Sequence, residues 1–169
     1  MDRESIILIG MPASGKSTVG KMLAEELGYR FIDLDVYIQE KERRSIQDII
    51  ETEGEAALME IEKKRMSELD LSRLVVAPGG SLVYYDDLML KLKQKALIIY
   101  LNEPLVELER RLNDAPTRGI IGLKHKSLAE IYSERAPLYI HYTDIIIDSK
   151  NLTCPQITQE IVSRLHSLS

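Results

Sequence analysis

Cysteine is nearly absent: Cys154 stands alone in 169 residues. That excludes an internal disulfide framework, and with no Cys or His beside it at metal-ligand spacing it excludes a thiolate zinc site as well. A single buried or incidental thiol fits a reducing compartment, so a cytoplasmic location is expected. Long apolar runs are also missing. None approaches the ~18 residues that cross a bilayer, and the charged N-terminus leads into a short apolar segment without the longer stretch of a signal peptide, so no membrane partner is expected. Basic excess is lacking too: 22 Lys and Arg against 27 Asp and Glu leave a net charge of −5. Nucleic-acid affinity comes mostly from Lys and Arg neutralising phosphates, so a polynucleotide is not the expected partner either. The three histidines, His125, His141 and His166, are too scattered to suggest a metal site.

What remains is an ordinary globular composition, 44% hydrophobic and 29% charged, with no repeat, low-complexity tract or linker. One domain spanning residues 1–169 is expected, as a monomer. Apolar runs of strand length alternate with segments of helical period, the pattern of an α/β protein with a parallel sheet covered by helices on both faces. The spacing predicts strands at Ile6–Ile9, Phe31–Asp33, Leu74–Ala77, Ala96–Leu101 and Thr143–Asp148. It predicts helices at Lys16–Leu27, Val36–Arg43, Ile46–Glu53, Glu55–Leu69, Asp86–Lys93, Pro104–Asn113, Leu128–Tyr142 and Pro155–Leu168. Ser45 with Asp48, and Ser127 with Glu130, have the spacing of capping boxes. The segment 113–127 carries Pro116, Gly119 and Gly122 with little amphipathic order, and reads as a mobile lid over an active site or a plain surface insertion.

The chemistry is concentrated in "GMPASGKST". Gly10, Gly15, Lys16 and Ser17 satisfy G-x-x-x-x-G-K-[ST] between a predicted strand and a predicted helix, which is the context the phosphate loop requires. Small residues, Ala13 and Ser14 among them, let successive backbone N–H groups turn inward around phosphate oxygens, and the helix start adds its positive dipole end. Lys16 is expected to reach the β- and γ-phosphates, Ser17 to ligate Mg²⁺, and Thr18 to complete the cradle. The expected cofactors are therefore ATP and Mg²⁺.

The end of the predicted fourth strand carries no Asp, which argues against a motor-type ATPase or a GTPase. The acids appear in "FIDLDVYI" instead. Asp33 and Asp35 at i, i+2 on an extended segment point to one side, at the carboxyl edge of the sheet. One can orient Mg²⁺ through water, and the other can accept or orient a substrate hydroxyl. Alternatively, Asp35 caps the following helix. In "APGGSLV" the adjacent Gly79 and Gly80 allow close approach to a bound molecule, or simply form a turn. Arg118 lies in the lid segment, where closure would bring it onto a transferring phosphoryl group. Arg135 sits in "ERAPLY" before Pro137, which is expected to break or kink its helix.

Together "GMPASGKST", "FIDLD", "GEAALMEIE", "PGGS", the "TRG" of the lid and "ERAPLY" resemble the shikimate kinase family of small P-loop kinases across nearly the whole chain. The resemblance implies a five-stranded parallel sheet with the phosphate-loop strand at its centre, a substrate-binding region at about 33–62 and a lid at about 113–127. It implies transfer of the γ-phosphate of ATP to a ring hydroxyl of shikimate, on the way to chorismate and the aromatic amino acids. By the same resemblance Lys16, Asp35 and Arg118 are catalytic, Ser17 and Asp33 hold the metal, and Arg111 and Arg118 lie on the nucleotide side. Asp35, Gly79, Gly80 and Arg135 bind the acceptor, and Glu62 supports its pocket.

The chain departs from the family pattern in three places. Met59 stands where a second carboxylate-binding arginine is expected, with Lys63 one turn on as a partial substitute. Ser81 replaces a third glycine, and Gly119 replaces the proline after the lid arginine. All three concern the acceptor rather than ATP. The alternatives are a paralogous kinase acting on another small polyol or hydroxy acid, and a nucleotide-binding regulator without catalysis. A nucleoside monophosphate kinase fits less well, because arginines around a second phosphate are not evident.

Overall fold

A computed structural model describes residues 3–114 and 119–168. Five strands, β1 (Ser5–Ile9), β2 (Arg30–Asp33), β3 (Leu74–Ala77), β4 (Ala96–Asn102) and β5 (Ile145–Asp148), form one sheet in the order β2-β3-β1-β4-β5. Every pairing is parallel. The helices are α1 (Lys16–Leu27), α2 (Leu34–Glu42), α3 (Ile46–Glu53), α4 (Glu55–Ser67), α5 (Asp86–Lys95), α6 (Leu105–Asn113), α7 (Leu128–Tyr142) and α8 (Cys154–Leu168).

The side chains of β1 alternate between two cores, as the period of a strand requires. Ile6 and Leu8 join Val19 and Leu23 of α1 and Ile157 and Ile161 of α8 on one face. Ile7 and Ile9 join Ile38 of α2, Ile49 of α3, Leu58 of α4, Met89 of α5, Leu108 of α6 and Ile131 of α7 on the other. Burial on both faces explains why β1, β3 and most of β4 read as unbroken apolar runs rather than as alternating ones. Edge strand β5 does alternate, with Ile145 and Ile147 inward and Ile146 and Asp148 outward.

Two local expectations are corrected. Helix α2 starts at Leu34, so Asp33 and Asp35 do not share an extended segment: Asp33 is the N-cap, accepting hydrogen bonds from the N–H groups of Asp35 and Val36, and Asp35 lies in the first turn. The alternative, Asp35 as the cap, fails for the same reason. Pro137 lies within α7, which spans Leu128–Tyr142, the range that the spacing predicts. Both predicted capping boxes form, at Ser45–Asp48 and Ser127–Glu130.

Candidate active site

The loop between β1 and α1 is built by its backbone angles. Gly10 leaves the strand at φ 152°, where an added Cβ would lie 2.8 Å from the carbonyl oxygen of Leu101. Ala13 at φ 64° and Gly15 at φ 93° follow, and α1 begins at Lys16. Such alternation turns peptide N–H groups toward a common concavity at a helix N-terminus, the arrangement that binds phosphate. The Lys16 ammonium is buried beneath this loop. It donates to the carbonyls of Gly10 and Met11, each at 2.8 Å, and lies 3.5 Å from the Ser14 hydroxyl. Burial is the main reason its pKa drops to about 8, with Arg135 adding to the drop and Asp35, Asp33 and Glu62 opposing it.

Across the mouth of the loop the Ser17 hydroxyl hydrogen-bonds the Asp33 carboxylate. A hydroxyl and a carboxylate on adjacent elements are hard oxygen donors of the kind Mg²⁺ takes, one or two from protein and the rest from phosphates and water. Among the described residues no group of three acidic, His or Cys side chains forms a complete metal cage. The Asp35 carboxyl reaches solvent at the mouth of the cavity, yet its surroundings raise its pKa: desolvation first, then the neighbouring Asp33, with Lys16 opposing.

The loop, both aspartates and the opposite wall enclose a cavity of about 390 Å³. Gly79 and Gly80, following β3, supply backbone to that wall. A Cβ on Gly80 would lie 2.9 Å from Arg135 Nη1 and 3.1 Å from both Pro12 Cδ and Tyr139 Oη, so only glycine allows this packing. Arg135 itself is 2% exposed. It donates from Nη2 to the carbonyl of Ile121 at 2.9 Å and from Nε to Tyr84 Oη at 3.3 Å, and its guanidinium lies 5.3 Å from the Tyr84 ring centre. Among the described residues no carboxylate lies within ion-pair distance of it. A buried guanidinium without a counter-charge at a cavity wall is suited to receive an anion.

The cavity thus gathers Ala13, Ser14, Gly15, Lys16, Ser17, Thr18, Asp33, Asp35, Gly79, Gly80 and Arg135. Gly10 shapes the loop from beneath. Arg111 stands behind the loop rather than in the cavity, donating to the carbonyl of Ala13 at 2.8 Å and pairing with Glu107 and Glu103. Arg118 lies outside the described residues. Lys63 does not replace the missing arginine: it pairs with Asp87 at 3.4 Å and lies over the Tyr85 ring. Met59 faces a neighbouring hollow edged by Tyr84, Lys126 and Glu134, which shares Ile121 and Arg135 with the main cavity.

Sequence reasoning missed the apolar lining from Leu58, Ile120 and Ile121. It also missed Tyr139, which lies one helical turn beyond Arg135 and donates to the Gly80 carbonyl at 2.7 Å. That i, i+4 spacing was the available signal.

The shikimate kinase family model matches residues 12–166. The shikimate kinase of Persephonella marina is 35% identical over 162 residues, covering 95% of this chain and 98% of its own. That of Nitrosomonas europaea is 38% identical over 168 residues, covering 95% of this chain and 78% of its own. A structure of shikimate kinase from Acinetobacter baumannii in complex with shikimate superposes with a TM-score of 0.87 at 29% identity, over 98% of this chain and 94% of that one. A nearly full-length match at this identity, on a phosphate loop with an oxygen donor pair beside it, places this chain in the shikimate kinase family of ATP- and Mg²⁺-dependent P-loop kinases.

Proposed function

We propose that this protein phosphorylates shikimate, forming a bond between one ring hydroxyl oxygen and the γ-phosphorus of ATP as the bond to ADP breaks. The observation that carries this reading is the cavity itself, lined by the phosphate loop, by Asp35 and by a buried Arg135 that has no carboxylate partner among the described residues. Bound MgATP supplies the activated phosphoryl group. Lys16 would exchange its loop carbonyls for β- and γ-phosphate oxygens, and Ser17 and Asp33 would hold the metal. Asp35 orients the acceptor hydroxyl and takes its proton, a role favoured by a pKa raised above the ordinary carboxylate range. The Gly79 and Gly80 backbone lets the acceptor ring approach closely, and Arg135 receives its carboxylate.

Arg111 steadies the loop on the nucleotide side, and Arg118, carried by a lid at about 113–127, completes the charge around the transferring phosphoryl group. Residues of the acceptor region, about 33–62, reach the cavity through Asp33, Asp35, Leu58 and Glu62. The working unit is one domain over residues 1–169, acting as a cytoplasmic monomer on a small anionic hydroxy acid, without nucleic acid. Among the described residues no helix is long and apolar enough to cross a membrane.

ADP release with MgATP, measured with and without millimolar shikimate, tests the reading. Saturable release that depends on shikimate is expected. Intact ATP binding with no stimulation would overturn it in favour of the second reading, a paralogue for another small hydroxy acid, which Met59 motivates. If shikimate is the acceptor, Met59→Arg should lower its KM on the order of tenfold or more with little change in kcat. The basis is that one charge-assisted hydrogen bond to a carboxylate is worth about 1.5–3 kcal/mol. An unchanged or raised KM would show that Arg135 alone suffices.

A further inference from the structure

Glu62 is the most deeply buried acid on the cavity wall, 2% exposed. Its oxygens pack against Gly79, 3.3 and 3.4 Å from where a Cβ would stand there. Among the described residues no cation lies within ion-pair distance of it, an unusual position for a buried carboxylate. Its hydrogen bond comes instead from Ser81, whose hydroxyl donates to Oε2 at 3.1 Å and lies 3.5 Å from Oε1. Ser81 is itself only 3% exposed, so little water competes for that hydroxyl.

Resting on the kinase reading above, we propose that Ser81 is a positioning residue for the acceptor. Its hydroxyl stands in for a cation, fixes the Glu62 carboxylate against Gly79 and favours the ionised form, which accepts a hydrogen bond from an acceptor hydroxyl. A glycine at position 81 would offer neither the bond nor the orientation. The two substitutions Met59 and Ser81 then belong together. Where the arginine expected from the family pattern is gone, a neutral donor from the opposite loop takes up the acid on the same helix face, three residues on from Met59.

Several groups bear on the Glu62 charge. Its pKa is raised to about 7, by burial first and by Asp35 of α2 next, against the lowering effect of Ser81, Arg135 of α7 and Lys16 of α1. Tyr85, beyond the loop, feels the Glu62 charge, and Lys63 on the same helix is turned away to Asp87. The unfolded chain loses the Glu62 proton near pH 4.5 and the folded one near 7, so between those values the folded state holds the extra proton. Stability must therefore fall as pH rises through that window. Asp35 contributes with the same sign, whereas the lowered Lys16 pKa acts oppositely and only above about pH 8.

The test follows the thermal midpoint of the ligand-free protein, and kcat/KM for shikimate, from about pH 5 to 9. Wild type should lose stability through the window, and Glu62→Gln should lose much less, which isolates the Glu62 part from that of Asp35. Ser81→Ala should carry the upper end of the fall in stability, and the acidic limb of kcat/KM, upward by about one pH unit, because the hydrogen bond to the charged form is gone. Ser81→Thr, which keeps the hydroxyl, should restore both. Ser81→Cys, close in size but a weak donor, serves if the alanine variant does not fold and should behave as alanine does. Profiles of Ser81→Ala or Ser81→Cys that coincide with wild type overturn the proposal. If the stability profile moves while shikimate stimulates no ADP release at any pH, the hold of Ser81 on Glu62 stands and the shikimate reading fails.

Discussion

Lys16→Ala is expected to cut phosphoryl transfer by about a thousandfold or more while leaving the fold in place. The ammonium is held within the loop by the carbonyls of Gly10 and Met11, so it needs little reorganisation to meet phosphate oxygens that arrive there. Preorganised charge in a buried site acts through a low local dielectric, which is why its removal costs more than loss of a solvated lysine. The fold should survive because Lys16 lines the cavity, so the carbonyls it leaves can be hydrated there. Circular dichroism would verify the fold, and ADP release with shikimate would give the rate. A residual rate within tenfold of wild type would mean that the phosphates are held by the loop backbone alone.

Asp35→Asn should lower kcat by about 10²–10⁴ while ATP affinity stays unchanged. The amide is nearly isosteric and can still orient a hydroxyl, but it cannot take the proton. Among the described residues the Asp35 side chain makes no hydrogen bond to the phosphate loop, and Asp33, which caps α2 and bonds Ser17, remains intact. Nucleotide titration separates the two effects: a fall in affinity equal to the fall in rate would assign Asp35 to the metal rather than to the hydroxyl. In wild type the rate should fall on acidification, as Asp35 picks up its proton at a pH above that of an ordinary aspartate.

Sequence alone located the strands because β1, β3 and β4 are sheathed on both faces and spell continuous apolar words. It located the starts of α3 and α7 because capping boxes are local chemistry, settled by residues three apart. It misread the Asp33–Asp35 pair because a strand that turns directly into a helix changes the side-chain period from 2 to 3.6 between the two acids. Lys63 was misassigned for a different reason: its partner, Asp87, arrives from α5, and no spacing rule connects them. The same holds for the bond between Ser81 and Glu62, which joins the loop after β3 to the middle of α4. Residues that chemistry places by motif were legible, and those placed by the meeting of distant elements were not.

The strand order also governs how the chain can be made. Strand β1 is synthesised well before its neighbours, which lie far downstream: Ile6 pairs with Val75, and Ser5 with Ala96. No hairpin shelters it in the meantime, since a parallel ladder cannot close through a short turn. This fully buried strand, directly ahead of the phosphate loop, therefore stays an open edge until β3 and β4 have been synthesised. Its protection in that interval falls to α1, whose Val19 and Leu23 can cover Ile6 and Leu8 locally, while Ile7 and Ile9 wait for the far helices.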